Sequence, residues 1–268
     1  MNIRWLEEEK LVPMVIRQLK DANVALDIGC GIMPQPYITP KVHICCEPFE
    51  QYVEVLQERF TGETDRTYVL LNLTWEEAVK KFPPASVDAV FLVDVIEHLE
   101  KEEGLRLLKE TQSIVRGQIV LFTPLGFMPQ THADRKDAWN LEGGAWQGHK
   151  SGWLPEDFDE NWKIYACSDY HKIDNLGNCL EKPFGAFWAI WEAPKKDEVH
   201  VQRFADAPKS LWQNFQNLQH EHQTLQREHQ SLQKSRAVIF ARELGKYPFL
   251  LRLTSAVYKI LAKIYNWF

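Results

Sequence analysis

Short apolar runs alternate with segments of helical period along the first 193 residues. Residues 24–28, 42–46, 68–71, 87–93, 118–122, 162–168 and 185–191 are rich in Val, Ile, Leu, Phe and Trp, and turn or polar residues bound them. Such runs read as buried strands. Between them, residues 50–60 and 100–115 read as helices, the second with Leu105, Leu107 and Leu108 toward a sheet. Thr74 is the better N-cap candidate for a helix after the third run. At the N-terminus, residues 5–20 read as an amphipathic helix carrying Leu6, Val12, Val15, Ile16 and Leu19, with Pro13 as an interruption. The alternation predicts an α/β fold with a doubly wound, mostly parallel seven-stranded sheet.

The pattern breaks between residues 126 and 161, a stretch rich in Gly, Trp, His and Asp with no clean period. A loop this long inside a compact domain is usually functional, and it follows the fifth strand, at the edge where open α/β sheets bind ligands. Its candidates are His132, Asp134, Trp139, Trp146, His149 and Trp153. Aromatic rings beside polar groups suit a sugar or another flat, hydroxylated acceptor. The tryptophans can equally anchor an irregular loop.

Beyond residue 200 the character changes. Leu211, Phe215, Leu218, His222, Leu225, His229 and Leu232 alternate spacings of four and three, a heptad seam with two polar positions. Residues 208–236 therefore predict a helical segment, either a short homo-oligomeric coiled coil or a single solvated helix. Residues 237–268 are apolar and basic, with Arg236, Arg242, Lys246, Arg252, Lys259 and Lys263 set against Glu243. After Pro248 the polar residues keep to one narrow stripe. Such a helix can lie at an anionic membrane surface, or pack on the domain or a partner subunit. Residues 1–200 remain as the folded domain.

Composition narrows the class. At 268 residues the chain can hold one sizeable domain plus appendages. A net charge of -6 argues against a general nucleic-acid binder. Five cysteines, two of them adjacent at Cys45 and Cys46, show neither metal-ligand spacing nor a disulfide framework, so no metal is assigned and a reducing cytosol fits. The acidic N-terminus does not read as a signal peptide, and no 18-residue apolar run is free of charge.

The chemistry concentrates at Val24-Ala25-Leu26-Asp27-Ile28-Gly29-Cys30-Gly31. A buried strand ends near a carboxylate, and two glycines let a ligand approach the backbone. A dinucleotide loop would need a third glycine, but Pro34 stands there. Asp27 would also repel a pyrophosphate, so a phosphate-free ligand with a cationic end fits better. The segment resembles motif I of the class I S-adenosylmethionine-dependent methyltransferases, Asp/Glu-x-Gly-x-Gly-x-Gly, departing from it at Met33. A second segment, Asp94-Val95-Ile96-Glu97-His98-Leu99, resembles one that follows strand four in small-molecule and lipid members of that class.

The resemblance spans about residues 20–193 and implies a Rossmann-like methyltransferase fold with S-adenosylmethionine as cofactor. It implies that Asp27, Gly29, Cys30, Gly31 and Asp94 bind the cofactor, with Asp27 at its amino-acid end. Glu47, ending the second strand, is placed to accept from both ribose hydroxyls. Asn72 and Leu73 fall where adenine is held; Asn72 can also cap a helix. His98, His132 and His149 are the candidate general bases, and Asp134 stands beside them. The acceptor implied is a small molecule, a glycan or a lipid-linked saccharide, in the cytoplasm or on the inner face of a membrane. The competing reading is a methyltransferase fold that has lost activity and serves as a binding or scaffold protein.

Overall fold

The computed structural model describes residues 2–130, 136, 137, 139–174 and 177–194, together with Asn217, His220, Thr224, Leu225, Arg227, Glu228 and Ser231, which are helical. The chain divides after Lys195. The seam positions Leu211, Phe215, Leu218, His222, His229 and Leu232, and the whole of 237–268, lie outside the described residues. Leu225 is exposed within its own unit.

In the first unit the strands are β1 (Asn2–Trp5), β2 (Val24–Ile28), β3 (Val42–Cys46), β4 (Thr67–Leu71), β5 (Val87–Val93), β6 (Val115–Pro124), β7 (Trp162–Ile173) and β8 (Cys179–Glu192). The helices are α1 (Glu8–Ile16), α2 (Glu50–Arg59), α3 (Trp75–Val79) and α4 (Lys101–Ile114). All eight strands join one sheet in the order β1-β7-β8-β6-β5-β2-β3-β4. Only β8 runs against its neighbours, pairing antiparallel with β6 and β7. The order reverses between β2 and β5, which makes a crevice at their carboxyl ends.

The continuous apolar runs follow from burial on both faces. On one face Leu26, Ile28, Val90, Leu92, Ile119 and Leu121 pack with Trp75 of α3, Leu107 and Leu108 of α4, and Trp153. On the other, Ala25, Ala89, Phe91, Val120, Phe122 and Trp188 meet Leu11 and Val15 of α1. Polar clamps join the strands at the opposite end from the crevice. Buried Gln118 donates from Nε2 to the Lys20 carbonyl at 2.8 Å and accepts from the Lys20 N–H at 3.0 Å. Thr74 caps α3 in a reciprocal capping box with Glu77.

Three expectations need correction. The sheet has eight strands because residues 2–5 form β1, in parallel register with β7 (Ile3 opposite Ile164), instead of opening a helix. Four residues are too few to display a period, and pairing to an exposed edge decides their conformation. The helix is accordingly Glu8–Ile16, not 5–20, and it buries Leu11 and Val15 while Ile16 is exposed. Leu105 is also exposed, whereas Leu107 and Leu108 are buried. Two residues apart on a helix is about 200° of rotation, so Leu105 and Leu107 face opposite ways.

Gly117 tests the sheet packing. A Cβ there would stand 2.3 Å from the Asp88 carbonyl oxygen, a backbone atom with little room to yield. Gly117→Ala is expected to lose about 1–3 kcal/mol in urea unfolding, whereas Ser113→Ala, at an exposed position, should change stability by less than about 0.5 kcal/mol.

Candidate active site

The crevice between β2 and β5 is where the glycine loop turns. Gly29 and Gly31 both have positive φ, 65° and 55°. Gly29 donates its N–H to the Cys46 carbonyl at 2.8 Å, which ties the loop to the end of β3. A Cβ on Gly29 would lie 3.0 Å from Val95, and one on Gly31 would lie 3.2 Å from the Trp139 ring. The loop thus runs between the segment after β5 and a residue of the long loop. Glycine is required there for both conformation and space.

Two carboxylates set the path of this loop. Asp27, in β2, is 1% exposed; its Oδ2 accepts from the Gln35 N–H at 2.7 Å and faces His43 Nε2 at 3.3 Å. Glu47, just past β3, is 4% exposed; its Oε2 accepts from the Gly31 N–H at 2.9 Å and its Oε1 from the Phe49 N–H at 3.0 Å. Burial raises the Glu47 carboxyl to about 7 against those two bonds, and the charge of Asp27 adds to the rise. Both acids therefore stand at the crevice, with oxygens turned to the chain's own N–H groups.

The adenine-side residues are also engaged internally. Asn72 Nδ2 donates to the carbonyls of Glu47 and Pro48, both at 3.0 Å, and the Leu73 carbonyl accepts from the Cys46 thiol at 3.3 Å. Cys30 points inward against Cys45 and Leu56, so only its backbone can meet a ligand. Asp94 is solvent-exposed, with φ of 53°, and its N–H donates to the Phe122 carbonyl at 3.1 Å. A carboxylate held in the left-handed region at the carboxyl end of a central strand is a strained feature of the kind found at ligand sites.

Opposite the glycine loop, a 3-10 turn over Ile96–His98 follows β5. The Glu97 carbonyl accepts from the N–H groups of Lys150 (2.7 Å) and Ser151 (3.1 Å), so the returning limb of the long loop is fastened to this turn. That brings His149 beside His98, with ring centroids 4.9 Å apart. His132 and Asp134 lie outside the described residues. Among the loop tryptophans, Trp153 is fully buried in the core, Trp146 is exposed, and Trp139 packs edge-on to Tyr52 above Gly31.

Several residues that the sequence did not single out border the crevice. Tyr37 packs edge-on against Trp188 at 4.9 Å, and its hydroxyl is pushed up to about 12 by burial and then by Tyr170, Asp94 and Asp27. Phe122, Tyr170 and His171 continue this aromatic wall. Tyr170 also lines an open groove of about 480 Å³ with Glu8, Glu9, Val12 and Pro13 of α1. Glu97 is 2% exposed, and burial followed by the charge of Asp94 raises its carboxyl well above the usual range. Glu97 was legible as part of the Asp94–Leu99 segment; the tyrosines had no sequence signal.

No family model matches the chain, and no curated protein matches it. Solved structures do resemble it. The YcgJ protein from Bacillus subtilis is 11% identical over 69% of this chain and 98% of that one, with a TM-score of 0.46. A SAM-dependent methyltransferase from Archaeoglobus fulgidus is 16% identical over 68% of this chain and 90% of that one, with a TM-score of 0.43. The cyclopropane synthase MmaA2 from Mycobacterium tuberculosis is 19% identical with a TM-score of 0.36; the match covers 44% of this chain and 42% of the synthase. These are likenesses of architecture. The sheet order, with β8 alone reversed, is that of a doubly wound, mostly parallel Rossmann-like α/β sheet.

His43 offers a test of the buried acids. Burial works against its charge, but the hydrogen bond to Asp27 and the neighbouring Cys45 outweigh it and raise the imidazole to about 9. A folded-state value above the unfolded one contributes stability below pH 6.5 that is lost as pH rises toward 9. Urea unfolding between pH 6 and 9.5 should show that decline, and His43→Gln should flatten it.

Proposed function

We propose that this chain is an S-adenosylmethionine-dependent methyltransferase acting on a hydroxylated acceptor: a small molecule, a glycan or a lipid-linked saccharide. One observation carries the reading. Asp27, Glu47 and Asp94 come from the carboxyl ends of three adjacent strands, β2, β3 and β5, around a positive-φ glycine loop at the switch point. That donor set is acidic and contains no phosphate-binding group. It fits an ammonium, a sulfonium and a ribose diol, and it does not fit a pyrophosphate.

When bound, S-adenosylmethionine supplies an electrophilic methyl group on sulfur. The chain's own residues do the rest. Asp27 and the glycine-loop backbone take the amino-acid end, Glu47 the ribose, and Asn72 and Leu73 the adenine. Asp94 faces them across the crevice. His98 and His149 lie on the acceptor side, with His132 assigned there from sequence. The Tyr37–Phe122–Tyr170 wall gives the crevice an apolar side, which suits a reaction whose charge disperses as it proceeds. Ligand entry requires the loop to uncover Asp27 and Glu47, whose oxygens now accept from the chain's own N–H groups.

That requirement also favours the second reading, a catalytically inactive fold used for binding or scaffolding. Isothermal calorimetry separates the two. S-adenosylmethionine and S-adenosylhomocysteine should bind with micromolar Kd and NAD should not. Asp27→Asn should weaken both at least about tenfold, the loss expected for one charge-assisted hydrogen bond. Absence of heat from a folded protein would leave the inactive reading.

From the sequence we further assign oligomerisation to 208–236 and contact with an anionic membrane to 237–268. The one-sided cations and wide apolar arc of the tail support the latter. Among the described residues no helix is long and apolar enough to cross a membrane. The full chain should therefore cosediment with anionic vesicles, and a chain ending near Lys209 should not. Equal pelleting of the two removes the membrane assignment.

A further inference from the structure

The turn after β5 and the returning limb of the long loop bring three lone-pair donors together. Ligand atoms of Glu97, His98 and His149 all lie within 4.8 Å of one another. Each histidine is oriented by the backbone: His98 Nδ1 meets the Gly148 carbonyl at 3.2 Å, and His149 Nδ1 meets the Met128 carbonyl at 2.6 Å. A carbonyl only accepts, so Nδ1 carries the proton and the lone pair of each neutral ring is on Nε2. This is how metal-ligating histidines are generally held.

Glu97 supplies the independent sign of a missing partner. Its Oε2 accepts from Thr123 Oγ1 at 2.9 Å, whereas Oε1 is buried with no protein hydrogen-bond donor at normal distance and has the Asp94 carboxylate as its neighbour, so two acids meet here without a cation. A buried carboxylate oxygen without a protein donor is costly and calls for a partner from outside the chain, such as an ion or a water. Lys101, which opens α4, is engaged elsewhere. Its Nζ donates to the Gly152 carbonyl at 2.8 Å and pairs with Asp157.

We propose that Glu97, His98 and His149 form a binding site for a divalent first-row transition-metal ion, and that this ion holds a hydroxyl oxygen of the acceptor. The acceptor role rests on the methyltransferase reading; the metal site does not. Two imidazoles and a carboxylate bind one side of an ion and leave positions open opposite. Imidazole favours manganese through zinc over magnesium or calcium, which prefer oxygen ligands. A hydroxyl in an open position is acidified as metal-bound water is: its O–H bond breaks, the electron pair stays on the metal-bound oxygen, and the proton leaves to solvent. A single general base needs one imidazole. Two imidazoles gathered with a buried carboxylate have the spacing of a ligand set, and with a metal-held hydroxyl the acceptor requires no protein base.

The test reads metal, not turnover. Full-length protein stripped with chelator is titrated with manganese(II) chloride, and the electron paramagnetic resonance signal of the free ion is followed without cofactor. One site per chain with micromolar Kd is expected, with magnesium chloride competing only weakly. His149→Ala and Glu97→Gln should each weaken manganese at least about 30-fold, with circular dichroism confirming the fold. His149 sits on an irregular loop, so its variant remains informative if Glu97→Gln unfolds. Absence of stoichiometric binding, or binding that survives His149→Ala, overturns the site. Calorimetry with S-adenosylhomocysteine on the same sample separates the two ideas. Binding of the nucleoside without manganese removes the metal and leaves the methyltransferase reading. Manganese binding without the nucleoside supports the site and removes its acceptor role.

Discussion

The buried carboxylate of Glu47 is the contact on which the crevice depends. One oxygen holds the N–H of Gly31 and the other the N–H of Phe49. A single side chain at the end of β3 thereby fixes both the glycine loop and the entry to α2. Taking a carboxylate out of water is expensive unless its oxygens are hydrogen-bonded. The arrangement is therefore cooperative: the loop must fold for the acid to be buried, and the acid must be buried for the loop to hold its shape. Asp27 repeats the device one strand over with the N–H of Gln35. Between them the two acids define the route of a loop that has three prolines and no helix of its own.

The same bonds set the terms for any ligand. An incoming ribose diol or ammonium would meet carboxylates that already have partners, so its net gain is the difference between two sets of hydrogen bonds and not the full value of one. Each carboxylate oxygen has two lone pairs, which allows one backbone donor and one ligand donor to share it. Glu47 can keep Gly31 and still accept from outside if the loop retreats without unfolding. Asp27 also faces the buried imidazole of His43, and the Trp139 ring lies over Gly31 beside Glu47.

The strands were legible because burial on both faces writes an unbroken apolar run. Val42–Cys46 and Val87–Val93 appear in the structure with their predicted limits. The acid–glycine motif was legible because φ above zero and close approach of Val95 leave no other residue type for Gly29. Other features carried no such mark. Strand β1 is four residues of edge pairing. The far half of β7, from Ser168 to Ile173, is largely solvent-facing and extended only because β8 pairs with it. The approach of His149 to Glu97 is invisible in sequence because it is made by the N–H groups of Lys150 and Ser151 on the Glu97 carbonyl. Backbone pairing between irregular segments has no residue signature.

The two sides of the crevice are stabilised in opposite ways, and this bears on what each can do. On the glycine-loop side, the acids accept N–H donors from the chain itself, so their hydrogen bonding is met within the fold. On the His98 side the scaffold is complete but one acid is not. Trp153 fills the space above Gly104, where a Cβ would stand 2.5 Å from its ring, and its Nε1 donates to the Ile96 carbonyl at 3.1 Å. Ser151 Oγ bonds the same carbonyl at 3.1 Å. A turn braced by a fully buried tryptophan has little freedom to move Glu97 toward a better partner. Rigid packing around a buried acid whose second oxygen lacks a protein donor makes this the position where a bound group would gain most. The side of the crevice that looks least finished is thus the one whose geometry is held most firmly.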